Sequence, residues 1–159
     1  GLPVPTLREL AAERQAGMPV TGTAAREALE HVLQGSVAGE LAADAPCPVT
    51  VVPPDAAVGE AGPVIVGDDG SDHGGRAVRH AAVIGARLGR DVVRMHVEKD
   101  DPVTVLSEAA RHQRACLIVT GNRGRGPFRA ELFGSVSMGL VQRAARPVVL
   151  VSTDVGDAA

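Results

Sequence analysis

The sequence predicts an α/β fold, a doubly wound parallel sheet, on three observations. Short uninterrupted apolar runs of strand length alternate with stretches whose apolar residues recur at helical spacing, the order that gives a parallel sheet with helices on both faces. Apolar residues make up 45 % of the 159, almost all of them Ala, Val, Leu and Ile, with two Phe and no Trp or Tyr. That is the usual filling for strands buried on both sides. The third observation is internal repetition. Displaced by 99 positions, Leu7–Val52 falls on Leu106–Val151 without a gap, and about 17 of the 46 pairs are identical. Val20-Thr21-Gly22 lies over Val119-Thr120-Gly121, Gly35-Ser36-Val37 over Gly134-Ser135-Val136, and Pro48-Val49 over Pro147-Val148. The chain reads as two tandem repeats, the first incomplete.

The first copy, residues 1–52, holds a helix (Leu7–Gln15), a strand (Met18–Gly22), a helix ending at about Asp44 and a strand (Pro48–Val52). Residues 53–62, rich in Pro, Gly and Ala, read as a linker. The second copy spans 63–153, with 154–159 as a tail. Pro63–Gly67 is a buried strand, and Asp68-Asp69-Gly70-Ser71-Asp72 turns the chain and offers N-cap residues. Ala77, Ala81, Ile84 and Leu88 recur on one helical face, and Gly89 ends that helix. Asp91–Val97 is the next strand. Asp101-Pro102 opens a helix whose apolar stripe is Leu106, Ala109 and Ala110. Ala115–Thr120 is a further buried strand, followed by the glycine-rich loop Gly121–Gly126, a helix from Ser135 to about Ala145 and a last strand, Pro147–Val151.

The glycine-rich loop carries the functional signal. Gly121-x-x-Gly124 is followed after nine residues by Gly134-Ser135. A loop that leaves a strand's carboxyl end lies where ligands sit in open α/β sheets. Glycines let backbone approach phosphate oxygens, and a helix opening at Gly134-Ser135 presents free N–H groups and a positive dipole end. Arg123 and Arg125 add charge, and Ser135 and Ser137 add hydroxyls. The alternatives are a plain turn for the loop and simple helix capping for Asp69.

With Val66-Gly67-Asp68-Asp69-Gly70-Ser71 and His96-Val97, this spacing resembles the universal stress proteins, several of which bind ATP through a Gly-x2-Gly-x9-Gly-(Ser/Thr) motif. Ala45-Pro46-Cys47-Pro48-Val49 in the first copy is similar to the family too, and the resemblance covers Leu7 to Val151. It implies a Rossmann-like fold and an ATP site with Mg²⁺ held through the phosphates. Gly67, Asp68 and Asp69 would lie beside adenine and ribose, and Val97 beside adenine. Thr120, Gly121, Arg123 and Gly124 would line the ribose and phosphates, with Gly134, Ser135, Val136 and Ser137 on the phosphates. The first copy departs from the pattern: its loop reads Gly22-Thr23-Ala24-Ala25, and it has no counterpart of the Asp69 loop. A Cβ at position 25 obstructs backbone approach, so this copy is expected to be structural. After Val97 the family's usual extra helix and strand are missing. Glu98-Lys99-Asp100 is too short for a parallel crossover, so either the fold is shortened or residues are absent from the sequence, the second being the expectation.

The resemblance implies a nucleotide-dependent stress-response regulator. No general base, nucleophile or Walker lysine stands by the loop, so at most slow ATP hydrolysis is expected and no catalytic residue is assigned. A nucleotide-free scaffold and an adenylate-forming enzyme remain as alternatives. A net charge of −3 without a basic face, and the lack of aromatics, argue against nucleic acid as a partner. The five His have no metal-ligand spacing, and Cys47 and Cys116 lie in apolar runs, as buried structural thiols would. With no apolar run of about 18 residues and no leader pattern, a reduced cytoplasmic protein without membrane contact is expected. The unguarded strands 48–52 and 147–151 are expected to join repeat to repeat, or copy to copy as a homodimer.

Overall fold

The computed structural model describes residues 3–23, 37–97, 101–122 and 134–152. In chain order the elements are α1 (Pro3–Glu13), β1 (Val20–Gly22), α2 (Val37–Asp44), β2 (Val49–Val52), β3 (Val64–Asp68), α3 (Asp72–Leu88), β4 (Val92–His96), α4 (Pro102–His112), β5 (Leu117–Gly121), α5 (Ser135–Arg143) and β6 (Val148–Val151). Every expected strand is present. α4 follows α1, and β6 follows β2, by the same displacement that aligns the sequence with itself.

The strands form one sheet in the order β1-β2-β6-β5-β3-β4. All neighbours are parallel except β2 and β6, which run antiparallel with Val49 opposite Leu150, Thr50 opposite Val149 and Val51 opposite Val148. A purely parallel sheet is therefore corrected to a mixed one. The strands Pro48–Val52 and Pro147–Val151 meet inside the chain, and each also has a parallel neighbour on its other side.

Alternate residues of each strand feed two separate cores, as the pleat requires. Val49, Val51, Ile65, Ile118, Val148 and Leu150 pack under α2, α4 and α5. Val64, Val66, Val119, Val149 and Val151 pack under α3 through Ala77 and Ala81. α1 rests on α2.

α3 starts with Ser71 as N-cap, its hydroxyl accepting from the Gly74 amide, and ends at Gly89 with φ +63, a left-handed cap that glycine adopts without steric cost. Its buried stripe is Gly74, Ala77, His80, Ala81 and Gly85; Leu88, expected on that stripe, is exposed at the last turn. α4 opens as expected, with Asp101 accepting from the Val103 amide and Pro102 in the first turn. Its buried stripe holds Val103 with Leu106 and Ala110, while Ala109 is only half-buried. β4 is the sheet's outer strand, and α4 precedes β5 on the far side of β3. Residues 98–100, where residues are expected to be missing from the sequence, lie outside the described residues.

Residues 53–62 form no helix or strand but are held in place by polar contacts, among them one from Arg90 to the Ala61 carbonyl at 2.7 Å. The Ala57 amide donates to the Ala145 carbonyl at 3.0 Å, the Gly62 amide to the Arg114 carbonyl at 3.0 Å, and Arg114 pairs with Glu60 at 2.9 Å. Cys47 and Cys116 are half-buried free thiols rather than fully buried ones. Burial raises the pKa of both above the ordinary thiol range, which favours the protonated form.

Candidate functional site

The chain leaves β3 for β4 on one side and returns through α4 to β5 on the other. That reversal puts a crevice beyond the carboxyl ends of β3 and β5, where open α/β sheets bind ligands. The residues singled out in the sequence converge there. Gly67 and Asp68 end β3, Thr120 and Gly121 end β5, and Gly134, Ser135, Val136 and Ser137 open α5. Asp68 is in register with His96, and Asp69 and Val97 are the next residues after these two strand ends. Arg123, Gly124 and Arg125 lie outside the described residues, as do Ala25 and Arg26 of the first copy's loop.

Close packing sets the crevice walls. A Cβ on Gly67 would come within 2.9 Å of Leu106 Cδ1 on α4. One on Gly121 would lie 3.0 Å from the His73 carbonyl oxygen, so the first turn of α3 closes over the end of β5. The Ser137 hydroxyl is buried and donates to the Gly121 carbonyl at 2.8 Å, tying α5 to the strand end. Ser137 thus acts first as a tie, and Ser135, two residues earlier, is the exposed hydroxyl. The Gly134 amide donates to the Asn122 carbonyl at 2.7 Å, and the Asn122 amide to the Val151 carbonyl at 2.8 Å. These two bonds fix the ends of the segment between Asn122 and Gly134.

The two helix ends at the crevice differ in charge. α3 has Asp72 in its first turn, Asp68 and Asp69 just before it, and a side-chain cap. Asp69 Oδ1 accepts from the Ser71 amide at 3.0 Å and from the Ser71 hydroxyl, so it orders the cap residue. Asp68 is buried: Oδ1 accepts from the Gly70 amide at 2.9 Å, and Oδ2 from Arg94 Nε at 2.7 Å and from the second guanidinium nitrogen. Burial pushes its carboxyl up, but the Gly70 amide, the Arg94 guanidinium and His96 outweigh that and hold it below the usual carboxylate range. α5 begins quite differently. Gly134 offers no side-chain cap, and no acid stands in the first turn. Its first amides have no intrahelical acceptor and present the positive end of the helix dipole.

Sequence reasoning missed Arg94 and Gly74. Arg94 lies 26 residues from Asp68 and is joined to it only by the β3–β4 register. Gly74 did leave a trace, since glycine inside a helix costs about 1 kcal/mol. A Cβ there would lie 2.5 Å from Asp68 Oδ1 and 2.8 Å from Asp69 Oδ1, so the helix can sit on the two acids only without one.

A family model described as the universal stress protein family matches residues 1–53 and 85–152. A universal stress protein of Mycobacterium tuberculosis H37Rv is 30 % identical over 194 positions, covering 93 % of this chain and 65 % of its own length. One from Mycolicibacterium smegmatis is 31 % identical over 187 positions, covering 88 % of this chain and 63 % of its own length. The chain thus spans under two thirds of the length of these relatives. Both aligned stretches exceed its 159 residues, so the relatives carry segments without a counterpart here. Among solved structures, a universal stress protein from Archaeoglobus fulgidus superposes with TM-score 0.65 at 22 % identity, covering 94 % of this chain and 64 % of its own. A functionally unknown protein from Pseudomonas aeruginosa reaches 0.73 at 14 %, covering 97 % and 69 %. These two likenesses concern the fold alone.

Proposed function

The chain belongs to the universal stress protein family, and we propose that its β3–β5 crevice binds ATP, making it a nucleotide-dependent stress-response regulator. The observation that carries this reading is the polarity of the crevice. One end is a helix N-terminus with no side-chain cap from Gly134 and no acid in its first turn, suited to phosphates through the Ser135, Val136 and Ser137 amides and the Ser135 hydroxyl. The other end is acidic, suited to the hydroxyls of ribose and the amino group of adenine. A nucleotide has donors at one end and an anion at the other. Asp69 and Val97 would meet the nucleoside, and the buried Asp68 would hold the acidic turn in place rather than touch ligand. Mg²⁺ in this reading arrives on the phosphates. The reading assigns binding, not turnover, to the site.

The test is calorimetric titration with ATP and Mg²⁺. Gly124→Val fills the space that the motif's second glycine leaves for backbone approach, and binding by the parent should be lost in this variant. Equal affinity in the two proteins would refute the site. Nucleotide carried through purification, detected by absorbance or mass, would separate this reading from a nucleotide-free scaffold.

A further inference from the structure

We propose that Asn122 is a positioning residue through which α2, in the first copy, holds the end of β5 and the start of α5 in place for ligand. Asn122 follows β5 and is 1 % exposed. Its backbone joins both sides of the crevice's phosphate end. The amide donates to the Val151 carbonyl of β6 at 2.8 Å, and the carbonyl accepts from the Gly134 amide at 2.7 Å. Its side chain reaches into the other copy: Nδ2 donates to the Ala42 carbonyl in the last turn of α2, 80 residues earlier, at 3.4 Å. The Ser152 hydroxyl, next after Val151, donates to the Ala45 carbonyl at 3.4 Å.

Local chemistry leaves that carbonyl open. In a continuing helix the Ala42 carbonyl would accept from the amide of residue 46, which is Pro46 and has none. The matching places in the chain, 99 positions away, lack the tie. Ala145, which has an amide, stands where Pro46 does; Thr23 stands for Asn122; Pro53, with no side-chain donor, stands for Ser152. The backbone half is alike, since the Thr23 amide donates to the Val52 carbonyl as the Asn122 amide does to Val151. The Thr23 hydroxyl, however, is buried with no hydrogen-bond partner among the described residues. The tie runs one way, from the β3–β5 crevice to α2.

Packing alone does not call for an amide here. Asn122 Oδ1 is buried without a partner among the described residues, and an apolar side chain of similar size would fill the place without that cost. What the amide adds is a connection. A shift of α2 moves the Ala42 carbonyl, and through Asn122 it changes the spacing between the end of β5 and the start of α5. Coupling of this kind is reciprocal, so a ligand that orders those two ends also orders the end of α2. The ligand here is the nucleotide proposed above and rests on that reading; the tie itself does not.

Amide hydrogen exchange on the full chain is the test, in the parent and in Asn122→Leu, with and without saturating ATP and Mg²⁺. Without nucleotide, the Gly134 amide should exchange about fivefold or more faster in the variant, while the buried strand residue Ile65 keeps the parent's rate. With nucleotide, the Ala45 amide, bonded to the Leu41 carbonyl at the end of α2, should slow in the parent and not in the variant. The variant should also bind ATP about fivefold or more weakly. A residue that only packs would change Gly134 and Ile65 together, or would leave the response of Ala45 to ATP in place. Either result overturns the inference. A parent that binds no ATP refutes the nucleotide reading, and the nucleotide-free comparison of Gly134 with Ile65 then decides the tie. Should Asn122→Leu not fold, Asn122→Thr, which copies the matching position 23, is measured in the same way against the same outcomes.

Discussion

Asp68 and Gly74 tie the acidic turn to the helix above it, and each makes a separate prediction. The Asp68 carboxylate is buried while the guanidinium that pairs with it is largely exposed. Its pKa is held below the ordinary value of about 4, so in the unfolded chain the group takes up a proton at higher pH than in the folded one. The stability it contributes is therefore present above about pH 4 and lost as pH falls through the folded value. Denaturation from pH 7 down to 2.5 should show this loss in the parent and a shallower acid limb in Asp68→Asn. Identical limbs would mean that the pair contributes nothing. Gly74→Ala works against the usual preference for alanine in helices. The new Cβ has no room beside the Asp68 and Asp69 carboxylates, so the variant should lose about 1–3 kcal/mol of stability by overpacking. It should also weaken ATP by displacing the acidic turn. A gain in thermal stability would show that the turn relaxes freely.

At the scale of elements, the two matching segments differ in whether a strand crevice exists. β5 has β3 beside it, whereas β1 is the outer strand, with β2 as its one neighbour among the described residues. A glycine loop beyond a lone edge strand has no second wall, so ATP should bind with a stoichiometry of one per chain. Two sites by calorimetry would overturn that. The helix caps are a second test. Ser71→Ala removes the side-chain acceptor for the Gly74 amide and should cost about 1 kcal/mol in urea denaturation. Much of this level was legible in the sequence. Continuous branched apolar runs such as Val64-Ile65-Val66, bounded by Pro63 and by Gly67 and the acidic turn, read as buried strands. Asp101-Pro102 and Gly89 mark a helix start and a helix end through local backbone chemistry, which needs no tertiary context. The gathering of Gly121 and Gly134 at the carboxyl end of the sheet was legible through the spacing of the glycine loop, and that of Gly67, Asp68 and Thr120 through the family resemblance. What escaped depends on register and direction across long sequence separations. Arg94 on Asp68, the Ser137 tie to Gly121 and the antiparallel turn of β6 against β2 are of this kind. Leu88 misled because helical spacing names a face but not where along it the sheet ends.

For the whole molecule, the join between β2 and β6 decides whether the chain behaves as one body. The apolar cluster beneath α2, α4 and α5 draws Leu41, Val49 and Val51 from one side of that join and Leu140, Val148 and Leu150 from the other. Neither set can lose its packing without exposing the other, so unfolding should be a single cooperative transition. Leu41→Ala should lower that transition as a whole, by about 2–5 kcal/mol. An early separate melting of residues 3–52 would contradict this. The join also has a local two-fold character. Position 50 matches position 149 in the self-alignment, and Thr50 is the residue that stands opposite Val149. The antiparallel pairing is thus centred on a residue and its own counterpart, the arrangement of a symmetric interface between two copies. Val51 and its counterpart Leu150 differ only in size, whereas the central pair sets a polar residue against an apolar one. The Thr50 hydroxyl is buried with no hydrogen-bond partner among the described residues, while Val149 beside it is fully buried and apolar. An unsatisfied buried hydroxyl costs about 1–3 kcal/mol, and Val has nearly the same shape without it. Thr50→Val should therefore stabilise the chain by about 1 kcal/mol or more, raising the denaturation midpoint without changing its slope. A destabilised variant would show that the hydroxyl is satisfied in solution, most simply by a buried water at the centre of the join.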